Sequence, residues 1–89
     1  MDGIDHHVAR RRENVRKEVA SREADPQGLV EFGCECSKID CERSVKVPLY
    51  VYRRILATGD QFLLQSGHHA HSRYRTIVTV GLMSIEERV

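Results

Sequence analysis

Three cysteines fall within eight residues of this chain, Cys34, Cys36 and Cys41, and a Gly67-His68 step follows further along. Thiolate and imidazole are the ligand types that suit zinc, and a closed site takes four of them in a tetrahedron. The cysteines supply three corners. His68 is the leading candidate for the fourth, because a strand end and a glycine precede it and let the backbone turn inward. His69 and His71 are close enough in sequence to compete for that corner. His6 and His7 sit on an N-terminal segment where solvation is expected. Reduced cysteines can also pack as small hydrophobes, but three of them clustered ahead of a Gly-His step fit a Zn2+ site better. A Cys-x-Cys-x4-Cys run with a distant His is a less specific signature than paired Cys-x-x-Cys knuckles.

A chain of 89 residues has room for one domain and little apolar interior, so a staple is expected. By analogy with zinc-finger peptides, the metal would supply about 10 to 16 kcal/mol of apparent folding energy. The elements that must position the ligands can be read from spacing. Residues 4 to about 24 lack Pro and Gly and are rich in helix formers. They predict a helix with a thin apolar seam, Ile4, Val8, Val15 and Val19, interrupted by Arg11 and Arg12. Asp25-Pro26-Gln27-Gly28 ends it. A seam this thin predicts a largely solvated arm over residues 1–25; the other readings are that it docks on the domain, pairs with a second copy or holds a protein partner.

From Leu29 the period changes to two. Val30, Phe32, Cys34 and Cys36 alternate with Glu31, Gly33 and Glu35, predicting a strand that projects both cysteines one way. A turn through Ser37 to Asp40 returns Cys41 to the same point, and Val45 and Val47 mark a second short strand. Pro48 suits a helix start, with Leu49, Tyr52, Ile55 and Leu56 on one face until Thr58-Gly59. Phe62-Leu63-Leu64 and Thr76 to Met83 predict two more strands, and Ser84 to Val89 a frayed or weakly helical tail. The expected fold is α+β: a long N-terminal helix, then over residues 29–89 a small zinc-stapled antiparallel sheet with one packed helix.

Composition narrows the function classes. The 14 Lys plus Arg nearly cancel the 13 Asp plus Glu, so the chain lacks the strong positive field of most nucleic-acid or anionic-membrane binders. No stretch approaches the roughly 20 apolar residues that span a bilayer, and the N-terminus lacks the apolar segment of a secretory signal. A cytoplasmic location is expected, where an odd set of clustered thiols favours metal over disulfides. Catalysis is not expected, although Glu35 or Asp40 could act as a base beside a metal-activated water. Three thiolates and an imidazole close the tetrahedron and weaken the Lewis acid. A Gly-rich phosphate loop, a nucleophile elbow and paired metal-binding helix histidines are all missing from the sequence.

The residues Phe32-Gly33-Cys34-Glu35-Cys36, Cys41-Glu42-Arg43, Leu49 with Tyr52, Phe62 and Gly67-His68 resemble a family of small uncharacterised proteins common in actinobacteria. Those proteins pair a polar N-terminal helix with a Cys-Glu-Cys, Cys and Gly-His pattern. The resemblance spans roughly residues 32 to 68 and implies His68 rather than His69 or His71 as the fourth ligand. The chain departs from the pattern at Ser66, where Pro is common, and after His68, where an acidic stretch is common.

The expected function is therefore binding: a structural zinc protein acting as a protein-interaction or regulatory module through its N-terminal helix. Two alternatives stand beside it. One is a nucleic-acid-binding regulator using Arg10, Arg11, Arg12, Arg73 and Arg75, with Tyr50, Tyr52 and Tyr74 available for stacking. The other is a thiol switch in which oxidation of Cys34, Cys36 or Cys41 expels the metal.

Overall fold

Helix α1 runs over His6–Ala20 in a computed structural model that describes residues 6–70 and 72–89. Ile4 and His71 thus lie outside the described residues. The helix stops earlier than the Pro26 signal because Ser21 competes for its backbone: the hydroxyl donates to Lys17 O at 2.8 Å while the Ser21 N–H closes a tighter turn onto Glu18 O at 3.0 Å. Asp25 then shapes the connection, accepting from Gln27 N at 2.9 Å through its side chain and from Gly28 N at 2.9 Å through its carbonyl.

Strand β1 (Leu29–Gly33) pairs antiparallel with β2 (Ser44–Pro48), placing Phe32 opposite Val45 and Val30 opposite Val47. The expected strand through Cys36 ends at Gly33. Asn14 brackets that glycine, accepting from Gly33 N and donating to Gly33 O, both at 2.8 Å. The chain then crosses to a different strand, with Glu35 N donating to Leu63 O at 2.8 Å. Pro48, at φ −58° and ψ 142°, closes β2 and leads directly into α2 (Leu49–Thr58). Leu49, Tyr52 and Ile55 are buried on its inner face, and Gly59 at φ 81° ends it in the left-handed conformation that glycine adopts without strain.

Strands β3 (Gln61–Gln65), β4 (Tyr74–Val80) and β5 (Met83–Arg88) form a second antiparallel sheet in the order β3-β5-β4. The molecule therefore has two small sheets. The segment expected as one strand from Thr76 to Met83 is broken by a two-residue hairpin at Gly81-Leu82. Gly81 takes φ 58° and Leu82 does not, the pattern of a type II′ turn. The predicted frayed tail is instead the middle strand of this sheet. Its fully buried side chains, Ser84 and Glu86, are polar, and the apolar alternation on the other face is only Met83 and Ile85, half-buried on the main core, too short to announce a strand before Glu86-Glu87-Arg88.

Strand β3 is buried on both faces. Leu63 enters the main core with Phe32, Val45, Val47, Leu49, Tyr52 and Ile55, whereas Phe62 and Leu64 join a second cluster with Cys34, Cys36 and Ala70. No helix among the described residues is long and apolar enough to cross a membrane.

The seating of α1 inverts the ordinary amphipathic rule. Its buried residues are His7, Asn14 and Glu18, while Val8 and Val19 of the apolar seam are 37% and 51% exposed. His7, expected to be solvated, packs edge-on against Phe62 with ring centroids 5.1 Å apart. Glu18 binds Arg22 at 3.0 Å and Arg53 of α2 at 2.9 Å. Burial alone would raise its pKa, but the two guanidinium groups outweigh it and hold the carboxyl below its ordinary value. A lowered folded-state pKa contributes stability that is complete above the unfolded value and lost as pH falls through the folded one. Acid titration of unfolding should accordingly show a loss beginning near pH 4.5. That part of the slope should be missing in Glu18→Gln, and identical slopes in the two proteins would refute the assignment.

Candidate metal centre

Two loops and one strand end deliver the cluster. Cys34 and Cys36 follow β1, where the chain has left the ladder, with Cys34 N tied to Arg43 O at 2.9 Å. Cys41 is brought back by a turn in which its N–H bonds Lys38 O at 3.2 Å. His68 comes from the far side of β3. Gly67 takes φ 91° in a turn closed by His68 N on Gln65 O at 2.9 Å, and Ser66 keeps a negative φ, which is the type II arrangement.

The ligand atoms of Cys34, Cys36, Cys41 and His68 lie within 4.8 Å of one another, positioned to bind a metal ion. His68 Nδ1 is 3.6 Å from Cys34 Sγ and 3.5 Å from Cys41 Sγ. Cys34 and Cys36 are buried at 1% exposure each, whereas Cys41 and His68 are half-buried. His69, a rival at the sequence level, turns away: its Nδ1 lies 2.6 Å from the buried Glu86 carboxylate. His71 is outside the described residues, so among those described the fourth corner belongs to His68.

Comparison with family models, curated proteins and solved structures finds no match to this chain. The chemistry of the cluster thus rests on its own geometry.

Burial, with Cys36 and Cys41 close by, pushes the Cys34 thiol up to about 12 against the pull of a Gln65 N–H at 3.2 Å. Cys41 moves the other way. Burial opposes its ionisation, but the Arg43 backbone, Cys36, Cys34 and Arg10 together hold its thiol below the usual value. Without a cation the cluster retains protons that metal must displace, so occupancy is expected to fall in acid.

Two arginines of the basic run are spent on this corner of the molecule. Arg10 donates through Nη1 to Cys36 O at 3.0 Å and Cys36 Sγ at 3.3 Å, and through Nη2 to Cys41 O at 2.9 Å and Ile39 O at 3.2 Å. Arg11 forks onto Glu35, Nε to Oε2 at 2.9 Å and Nη2 to Oε1 at 3.1 Å, and its guanidinium lies 4.2 Å from the Phe62 ring centroid. Arg11 also donates to Gln61 O. Glu35, the residue between Cys34 and Cys36 in sequence, is fully buried, and its carboxylate accepts further from Asn14 at 3.0 Å, Leu63 N at 2.8 Å and the Tyr52 hydroxyl. Burial and the Glu35 charge raise the Tyr52 pKa, which keeps the phenol a donor. For Arg11, burial pulls downward and the bonds to Glu35 more than compensate, leaving a raised pKa. Glu35, considered as a base from sequence, has both oxygens committed to internal donors. Asn14 and Glu86 were missed entirely. An asparagine in mid-helix, where it is a poor former, was the one available signal for the first.

Proposed function

We propose that the chain is a small zinc protein whose metal is structural, and that it serves as a protein-interaction or regulatory module through α1. The observation that carries the metal reading is the pair of S···N separations, 3.5 and 3.6 Å. A tetrahedron with sulfur at about 2.3 Å and nitrogen at about 2.0 to 2.1 Å has S···N edges of about 3.5 Å. Three thiolates with one imidazole favour zinc over harder cations, and a fourth protein ligand fills the position a catalytic site keeps open for water.

The resemblance to the actinobacterial Cys-Glu-Cys family supports the same ligand set. Ser66, where that pattern commonly carries Pro, occupies the second position of the turn before His68, a position that favours Pro in type II turns. The interaction reading is supported by the outward valine seam: docking buries the polar face of α1 and leaves Val8 and Val19 exposed. Arg10 and Arg11, engaged internally, leave the basic run with less to offer a phosphate backbone than its sequence implies.

Elemental analysis of protein purified from its native host is expected to return about one zinc per chain, as four protein ligands for one ion require. Less than a tenth of an equivalent, in protein that keeps its fold under chelator, would refute the metal reading. The interaction reading expects a Val8→Asp/Val19→Asp variant with native zinc content to lose co-purifying partners or its oligomer size. Unchanged partners and size would remove it.

A further inference from the structure

We propose that the metal centre is the latch that seats α1, with Arg10 the residue that carries the coupling; this deepens, and rests on, the zinc reading above. Three observations converge on it.

The contact face of α1 is polar. His7, Asn14 and Glu18 are buried and Arg10, Arg11 and Val15 half-buried, while Val8 and Val19 remain exposed, so burial of the valines contributes only a small part of docking. What holds the helix is a set of directional bonds whose strength depends on acceptors being held in place.

Those acceptors belong to the metal-bearing segment itself. Asn14 grips Gly33, Arg11 and Asn14 grip Glu35, and Arg10 grips Cys36, Ile39 and Cys41. Outside that segment the helix is held at its two ends and once between them: His7 packs on Phe62, Arg11 also donates to Gln61 O, and Glu18 pairs with Arg53. A loop freed of its metal would present the carbonyls of residues 36, 39 and 41 in many arrangements, and one guanidinium cannot satisfy them all.

The charge also matches. Three thiolates, a neutral imidazole and a divalent cation leave a single net negative charge, and the Arg10 guanidinium, 3.3 Å from Cys36 Sγ, neutralises it. Arg10 thus acts as a positioning residue for the metal loop, and the loop as the seat of α1. Metal occupancy then decides whether the valine seam is presented on a rigid platform or on a loose helix. Coupling of this kind is reciprocal: what Arg10 contributes to metal affinity, the metal returns to helix docking.

The test uses the full chain. Zinc affinity is measured by competition with a chromogenic chelator for wild type, Arg10→Ala, Arg10→Lys and the exposed control Arg12→Ala. Hydrogen exchange of α1 is followed in wild type with and without chelator. Arg10→Ala is expected to weaken zinc by about 10- to 100-fold, the range for residues that orient metal ligands, with Arg10→Lys intermediate and Arg12→Ala unchanged. Chelation is expected to accelerate exchange in α1 ahead of α2. Equal affinity for Arg10→Ala and Arg12→Ala overturns the proposal. So does an α1 that keeps its protection after chelation, or one that loses it only together with α2. In each of these cases zinc still binds, which separates them from failure of the metal reading, where wild type takes up no zinc at all. Should Arg10→Ala fail to fold, Arg10→Lys and the exchange measurement on wild type decide the matter.

Discussion

Cys34→Ser is expected to cost the protein its metal and most of its stability. The cysteine is 1% exposed, its sulfur faces His68 at 3.6 Å and receives the Gln65 N–H at 3.2 Å, so it ties the end of β1 to the end of β3. Structural zinc supplies about 10 to 16 kcal/mol of apparent folding energy in zinc-finger peptides. Typical domains are stable by only about 5 to 15 kcal/mol. Losing much of the metal term would therefore leave a core of this size with only a narrow margin of stability. Thermal unfolding followed by near-ultraviolet circular dichroism should show a sharp transition in wild type, a lower one with chelator, and one at least as low in Cys34→Ser, which adds a buried hydroxyl to the loss of metal. Cys41→Ser should be somewhat milder, because its sulfur is half-buried and less is left unsatisfied around it. A Cys34→Ser protein that melts at the wild-type temperature would show that the cluster contributes nothing to folding.

Short-range pattern made the Cys3His cluster, β1, β2 and α2 legible: residue type and spacing for the cysteines, a period of two around Phe32 and Val45, three-and-four spacing from Leu49 to Ile55. What stayed hidden depends on partners far away in the chain. His7, Arg11, Asn14 and Glu18 recur at four, three and four residues, the spacing of a buried helix face, but their polarity disguised it. Their partners on β1, the metal loop, α2 and β3 cannot be inferred from spacing within α1. The valines therefore looked like the docking seam, and the helix like a solvated arm. Strand β5 was concealed in the same way. It earns its central place through backbone pairing to β3 and β4, while Glu86 is buried because Ala70 N at 2.8 Å and His69 at 2.6 Å satisfy it.

Among these buried polar groups, Glu35 carries the largest consequence. Its carboxylate is completely enclosed, and Arg11 is the cation that pairs with it directly. A buried ion pair gains little over an apolar pair of the same shape, but removing one partner strands the other at a cost of about 3 to 5 kcal/mol. Arg11→Met, which keeps much of the side-chain volume against Phe62, is expected to destabilise the metal-loaded protein by about that amount in denaturant titration. The double variant Arg11→Met/Glu35→Gln should recover a substantial part of the loss. A neutral amide no longer demands a cation, and its oxygen can still accept from Leu63 N or the Tyr52 hydroxyl. The two substitutions should therefore be strongly non-additive, the behaviour of residues sharing one network. If Arg11→Met cost less than about 1 kcal/mol, no more than an ordinary exposed pair, or if the double variant simply summed the single effects, Arg11 would not be the counter-charge of Glu35. Because Glu35 lies between Cys34 and Cys36, the same titration with chelator present should show a smaller cost for Arg11→Met: a loosened loop lets water reach the carboxylate and does the neutralising work of the lost guanidinium.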